Sequence, residues 1–386
     1  MGGPNGAVAA LRRRLDMLET IGDTEPLFSD DATAEAAAII EGARGQDDDR
    51  ARALATAGQL YWRRRLTALA DDEVNLHAAM VLFLLPYRHD RTLVPETLWD
   101  ALAGFDERNV EFSVVSQGIP ELCTALGEVV GAGPDALAWL ARVFGAAAAM
   151  TPAAHPKRPL LTGWLAVVHD RRGEKEHAAA LAEEAVPGLL ADTAADGWLL
   201  SLVGQVIRAH HGPRADPRLL ASAVEVSREA ERRVADEARP SVLHNLSATL
   251  LTRYTARAAC GDAGAVDDLV EALDRGREAV TTGTADRPSF LLHAAGYAGA
   301  LGAWSDRTGD LEVLDEAEYV LRHGLSHAEE DDTQVPYAYF RLGEIAQRRG
   351  RDEEALSCYT TASRLLAAGD PLVPVLRDAL EGLRAG

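Results

Sequence analysis

The chain has 386 residues, 47% hydrophobic and 26% charged, with a formal net charge of -21 and a pI near 4.9. That balance belongs to a folded chain rather than a disordered one, and the deficit of Lys and Arg excludes wrapping of nucleic acid or docking on an anionic membrane. Aromatic residues are only 5% while Ala, Leu, Arg and Glu dominate, so the composition points to an all-α protein.

Near the start, Arg12-Arg13-Arg14 is followed by no apolar stretch of signal-peptide length. The longest apolar run, residues 78–86, is less than half of the roughly 20 residues a membrane-spanning helix needs, so a cytoplasmic location is expected. Lys157 and Lys175 are the only lysines beside many arginines, which reads as the codon bias of a GC-rich bacterial genome. Residues 50–70 and 72–85 predict a helix pair, with Leu60-Tyr61-Trp62 in the first member and Ala79 in the second. Pro134 to Met150 predicts a further helix, and residues 151–156 a linker. Residues 1–156 are thus expected to form an irregular helical region.

Self-similarity begins after the linker. Arg158-Pro159, Arg239-Pro240 and Arg287-Pro288 each precede an apolar helical stretch, Val335-Pro336 is a fourth opening, and Pro240, Pro288 and Pro336 fall 48 residues apart. Proline suits a helix start, where the backbone N–H has no intrahelical partner and the fixed φ is already helical. Each unit then carries two small residues seven apart: Ala178 and Ala185, Ala223 and Ala230, Ala272 and Ala279, Ala317 and Gly324, Ala355 and Ala362. Two turns place each pair on one face, where small side chains let an antiparallel partner helix approach. From the opening Pro to the first Ala is 19 residues at Pro159 and Pro336, but 32 and 29 in the two units between. The surplus is expected in turn-like stretches around Gly261-Asp262-Ala263-Gly264 and Thr308-Gly309-Asp310. Arg172-Gly173 and Arg349-Gly350 end a first helix with the residue that accepts a left-handed conformation. In the unit without Arg-Pro, Gly197 to His211 supplies the first helix, Gly212-Pro213 breaks it, and Asp216-Pro217 is expected to cap the second.

The last unit, with Tyr339, Leu342-Gly343, Ala355, Tyr359 and Ala362, resembles the tetratricopeptide repeat family. The resemblance covers residues 157–366, loosely at 165–185 and with longer connections in the middle units. Residues 367–386, with a helix expected over 371–384, read as a cap over the last apolar face. The irregular region also resembles the repeats that precede a caspase-like CHAT protease domain in large actinobacterial proteins, here without the protease. The resemblance implies an α-solenoid of helix hairpins.

The usual signatures of catalysis are missing from the sequence: it has no phosphate-binding Gly-rich loop, no His-Glu-x-x-His, no Cys-x-x-Cys and no Gly-x-Ser-x-Gly. Asp47-Asp48-Asp49 and Asp71-Asp72-Glu73 have the acids for Mg²⁺ but sit at expected helix starts, where acids complement the helix dipole. Residues 109–117 lack the closing acid of a second metal motif. The pairs His169 and His177, His210-His211, and His323 and His327 lack a third ligand, so no metal and no cofactor are expected. Cys123, Cys260 and Cys358 lie far apart in helical stretches and are expected to be buried free thiols.

What remains is the surface that stacked hairpins make. By the family's groove positions, the resemblance implies that Tyr337, Phe340, Glu344, Gln347 and Arg348 face a partner, with Ser289, Leu292 and Gly296, and Ser241, His244 and Thr252, from the two preceding units. The expected function is a non-enzymatic scaffold or adaptor for a protein or peptide partner of basic or mixed charge. Two alternatives stand beside it: a regulatory subunit that senses a ligand or peptide for a separately encoded effector such as a protease, and a helical enzyme with an unrecognised site. Homo-oligomerisation stays open.

Overall fold

The computed structural model describes residues 4–42, 48–67, 73–105, 134–151, 153–212, 217–284, 289–329, 332–367 and 369–385. Arg287-Pro288, Pro213, Asp216, Cys123, residues 109–117, Asp47 and Asp71-Asp72 lie outside them. Among the described residues there are seventeen α-helices and no strand, and neighbouring helices pack in pairs as an all-α solenoid. Two compact units are formed, Met1–Thr193 and Ala194–Gly386. The first unit runs past the boundary expected at 156/157 and takes in the helix pair that follows the linker.

The first unit contains α1 (Pro4–Ile21), α2 (Asp30–Gly42), α3 (Asp48–Thr67), α4 (Glu73–His89), α5 (Trp99–Phe105), α6 (Pro134–Met150), α7 (Arg158–Arg171) and α8 (Lys175–Ala191). Its core gathers Leu11, Leu54, Tyr61 and Phe83 from α1, α3 and α4. Helix α4 runs past the expected end at 85, through Pro86, to His89. The second unit contains α9 (Gly197–His211), α10 (Leu219–Arg233), α11 (Arg239–Ala259), α12 (Ala265–Thr282), α13 (Phe290–Thr308), α14 (Val313–Leu325), α15 (Val335–Arg348), α16 (Asp352–Leu365) and α17 (Leu372–Ala385). Here each first helix (α9, α11, α13, α15) packs on its own second helix, and α9, α11 and α13 each pack on the next first helix as well. Helix α17 packs on α16 through Leu372, Leu376 and Leu380.

Local chemistry explains the boundaries. Pro159, Pro240 and Pro336 occupy the first turns of α7, α11 and α15. Asp196 accepts a hydrogen bond from the Trp198 backbone N–H at 3.1 Å and caps α9. Gly173 and Gly350, which follow α7 and α15, have φ of 83° and 68°, and Gly261 and Gly309 end α11 and α13 with φ of 74° each. The surplus residues of the two middle units lie mainly in helix rather than loop: α11 and α13 have 21 and 19 residues, against 14 in α7 and in α15. The Thr-Ala-Arg-Ala-Ala end of α11 is rich in helix formers, which carry the helix onward until the left-handed glycine stops it. At the start of α10 the N-cap residue is Arg218, which makes no side-chain cap, and the expected cap at Asp216 lies outside the described residues.

Close packing holds each hairpin. Ala178, Ala185, Ala223, Ala230, Ala272, Ala279, Ala317, Ala355 and Ala362 are all at most 1% exposed. Gly324, which replaces the second Ala of its unit, is where a Cβ would lie 2.8 Å from Leu291 Cδ1. Across α15 and α16 the Tyr359 ring lies over Gly343, so that a Cβ there would sit 2.5 Å from Cε1. In the first unit Phe83 of α4 covers Gly58 of α3 in the same manner, with 2.7 Å to its Cε1.

A second repeating device ties one hairpin to the next. Arg228 of α10 pairs with Glu271 of α12, Arg277 of α12 with Glu316 of α14 at 3.3 Å, and Arg322 of α14 with Glu354 of α16 at 2.9 Å. Each Arg stands five residues after the first small residue of its unit, and each Glu one residue before that of the next. Exposed pairs contribute at most about 1 kcal/mol each, but a ladder repeated at one register favours that register over its alternatives. Within the α11–α12 hairpin a buried acid is held as well: Asp268, 2% exposed, receives both Arg253 at 2.6 Å and Arg257 at 3.0 Å.

The cysteines depart from expectation. Cys260 is exposed, because α11 ends immediately before it and the chain turns at Gly261. Cys358 is half-buried, and burial raises its thiol pKa. No helix among the described residues is long and apolar enough to cross a membrane.

Candidate partner-binding face

Because α9, α11, α13 and α15 pack in succession, one side of each joins a continuous face in the second unit. Helical spacing decides which side chains reach it. On α11 these are Ser241, His244 and Thr252; at α13, Ser289, Leu292 and Gly296; on α15, Tyr337, Arg341, Glu344 and Arg348. All are half-buried except Leu292, which is 37% exposed.

The seams between these helices are joined by polar side chains lying over small residues. The His244 ring lies over Gly296, the Arg341 guanidinium over Gly299, and that of Arg348 over Gly302. Arg348 forms a two-pronged ion pair with Asp306 at 2.8 and 2.9 Å, which raises the arginine pKa and lowers that of the carboxylate. Arg341 donates to Glu344 at 2.5 Å and lies 5.6 Å from the Phe340 ring centre. On the α9–α11 seam, Asn245 donates to Ser201 at 2.9 Å and accepts from Gln205 at 3.4 Å.

Two histidines meet on the α11–α13 seam. The rings of His244 and His293 are 5.3 Å apart. Burial lowers the His244 pKa to about 3, with His293 and Arg208 adding to the effect, and burial lowers that of His293 to about 4. Both are neutral at pH 7. Ser241 Oγ stands 3.4 Å from His293 Nε2, which brings together the residue types of a nucleophile and its base. No third group orients the base, however, since His293 Nδ1 is buried without a hydrogen-bond partner among the described residues.

Two residues of the sequence reading lie off this face. Phe340, 8% exposed, packs with Ala355, Tyr359 and Leu376, and Gln347 accepts a hydrogen bond from the Tyr359 hydroxyl at 2.9 Å. Tyr337 donates to Asp370 at 2.8 Å, just before α17. Sequence reasoning passes over Arg341, which follows Phe340; one residue turns a side chain about 100° around a helix. The histidine pairs are close, with ring centres 4.4 Å apart for His169 and His177 and 4.7 Å for His323 and His327. His169 Nδ1 is 2.5 Å from Glu174 Oε2. Among the described residues no three His, Cys, Asp or Glu side chains are placed to share a metal ion.

The chain is therefore an all-α protein of stacked helix pairs with a polar face along its first helices. No family model matches it, and no curated protein matches it. Among solved structures it has a distant likeness to BtubC (BKLC) from P. vanneervenii, at 15% identity and a TM-score of 0.35, over 67% of this chain and 93% of that one.

Proposed function

We propose that the protein is a non-catalytic interaction scaffold that holds a segment of a protein partner along the face of α11, α13 and α15. The observation that carries this reading is the continuity of that face. Its first helices stack in order, and their outward side chains, Leu292, Tyr337, Arg341 and Glu344 among them, are left half-exposed rather than spent in the core. The resemblance of the last unit to tetratricopeptide repeats supports the same reading. The paired charges of Arg341 with Glu344 and Arg348 with Asp306 suit a partner of mixed charge, and capture is expected to weaken as salt rises.

The test is capture from the native cell extract, followed by affinity measurement with the purified partner. Leu292→Ala with Arg341→Ala is expected to weaken binding at least about thirtyfold, the usual size for loss of an interface anchor. Glu225→Ala with Glu353→Ala, on exposed parts of α10 and α16, is expected to leave it unchanged. Equal binding by both double variants would place the partner elsewhere.

A further inference from the structure

We infer that the first unit contains a separate site for an oxyanion group, phosphate or carboxylate, of a small polar ligand, in the cleft between α1 and α3. The cleft has a volume of about 440 Å³, within the roughly 300–1,000 Å³ range of small-molecule sites. It lies where two helices pack side by side with long side chains at matching intervals: Arg12, Asp16 and Glu19 on α1, and Arg52, Thr56 and Gln59 on α3.

The charges in the cleft are unequally committed. At one end Arg63 pairs with Glu19 at 2.6 Å, so both are satisfied within the protein. Arg12 and Arg52 also line the cleft, yet neither makes an ion pair or a side-chain hydrogen bond among the described residues. Asp90 lies within electrostatic reach of Arg52 but makes no ion pair with it, and its Oδ1 accepts from the Thr92 hydroxyl at 2.6 Å and backbone N–H at 3.0 Å. Although the chain carries a net charge of -21, these two guanidinium groups line the cleft without an ion pair.

Guanidinium presents a planar fork that matches phosphate and carboxylate oxygens, and two forks lining one cleft suit a doubly charged group. The Gln59 amide, which has no other hydrogen-bond partner among the described residues, adds a donor. Asp16 in the same cleft disfavours a uniformly anionic ligand and suits one whose far end carries a hydroxyl or an amine. Because this cleft belongs to the first unit, the inference is independent of the partner face in the second.

The experiment is titration calorimetry of the full chain with inorganic phosphate and, separately, with succinate, each against sodium chloride at equal ionic strength. Binding of phosphate assigns a phosphorylated ligand, and binding of succinate alone a carboxylate. In either case Arg12→Gln with Arg52→Gln is expected to weaken binding at least about tenfold, while Arg13→Gln, one residue along α1 and outside the cleft, leaves it unchanged. If the double variant loses its helical spectrum, Arg52→Lys replaces it, which keeps the charge but not the fork and is expected to weaken binding severalfold. No binding of either probe, or binding that survives these substitutions, overturns the inference.

Discussion

Replacing Gly343 by Ala tests the packing of the last hairpin with a single methyl group. In most helix interiors Gly→Ala stabilises by about 1 kcal/mol, because alanine restricts the unfolded chain and has the higher helix propensity. Here the new Cβ would lie 2.5, 2.6 and 3.0 Å from Cε1, Cδ1 and Cζ of Tyr359, against the roughly 3.5–4.0 Å of ordinary carbon contact. The ring must retreat by about 1 Å. It has nowhere to go: Tyr359 is 1% exposed, its hydroxyl donates to Gln347, and the Phe340 ring is 5.8 Å away. Overpacking of this kind costs about 1–3 kcal/mol, and the three contacts at or below 3.0 Å put this site toward the upper part of that range, so with the propensity gain subtracted Gly343→Ala is expected to destabilise by up to about 2 kcal/mol. Urea unfolding followed by circular dichroism measures the change, and amide hydrogen exchange in α15 and α16 localises it, since a repeat array need not unfold in one step. Gly382→Ala in α17, where nothing lies within 4 Å of the added methyl, is expected to be neutral or stabilising. In a Tyr359→Leu background Gly343→Ala is expected to lose most of its cost. A stabilising Gly343→Ala, equal in both backgrounds, would refute the close approach.

Three further outcomes follow from the same structure. Ala178→Leu and Ala355→Leu, each at a position 0% exposed, are expected to lower stability by about 1–3 kcal/mol in urea melts, whereas Ala221→Leu on the exposed side of α10 changes little. Arg322→Ala and Glu354→Ala, alone and together, are expected to show a coupling of up to about 1 kcal/mol at low salt, read from a double-mutant cycle of melting midpoints, since the neutral variants leave Glu318 and Arg351, the other partners of this pair, without a like charge beside them. Stability is expected to depend on pH through His244 and His293, whose folded pKa values of about 3 and 4 lie below the unfolded value of 6.5. Above pH 6.5 both states are neutral and the stability is complete; as pH falls from there toward 4 the unfolded chain takes up protons first and stability is lost. His244→Gln with His293→Gln is expected to flatten that part of the profile, and an unaltered slope would count against buried neutral imidazoles.

Much of the architecture is written in local chemistry. The helix-opening prolines, the left-handed glycines after α7 and α15, and the nine buried alanines at seven-residue intervals each impose a conformation or a contact within one hairpin. Features that depend on two elements are harder to read. The extra length of α11 and α13 reads as loop because Gly and Asp near their ends carry strong turn signals, although Ala and Arg before them favour helix. For the proposed face, Ser241, His244, Leu292 and Arg348 come from the family's groove positions, and so does Phe340, whose apolar ring is instead buried against Ala355, Tyr359 and Leu376 of α16 and α17. The Arg–Glu ladder recurs at fixed offsets from the small residues but joins helices 32 to 43 residues apart, a pattern visible only once the hairpins are aligned. The α1–α3 cleft is hidden for the same reason, since Arg12 and Arg52 become neighbours only through folding.

The central claim is that the first-helix face of the second unit receives the partner. It is tested most directly by hydrogen–deuterium exchange of the full chain with and without the captured partner, read peptide by peptide. The account predicts new protection in α11, α13 and α15, around Thr252, Leu292 and Arg341, with α12 and α14 unchanged. Protection confined to the second helices, or none in residues 194–386, would contradict it.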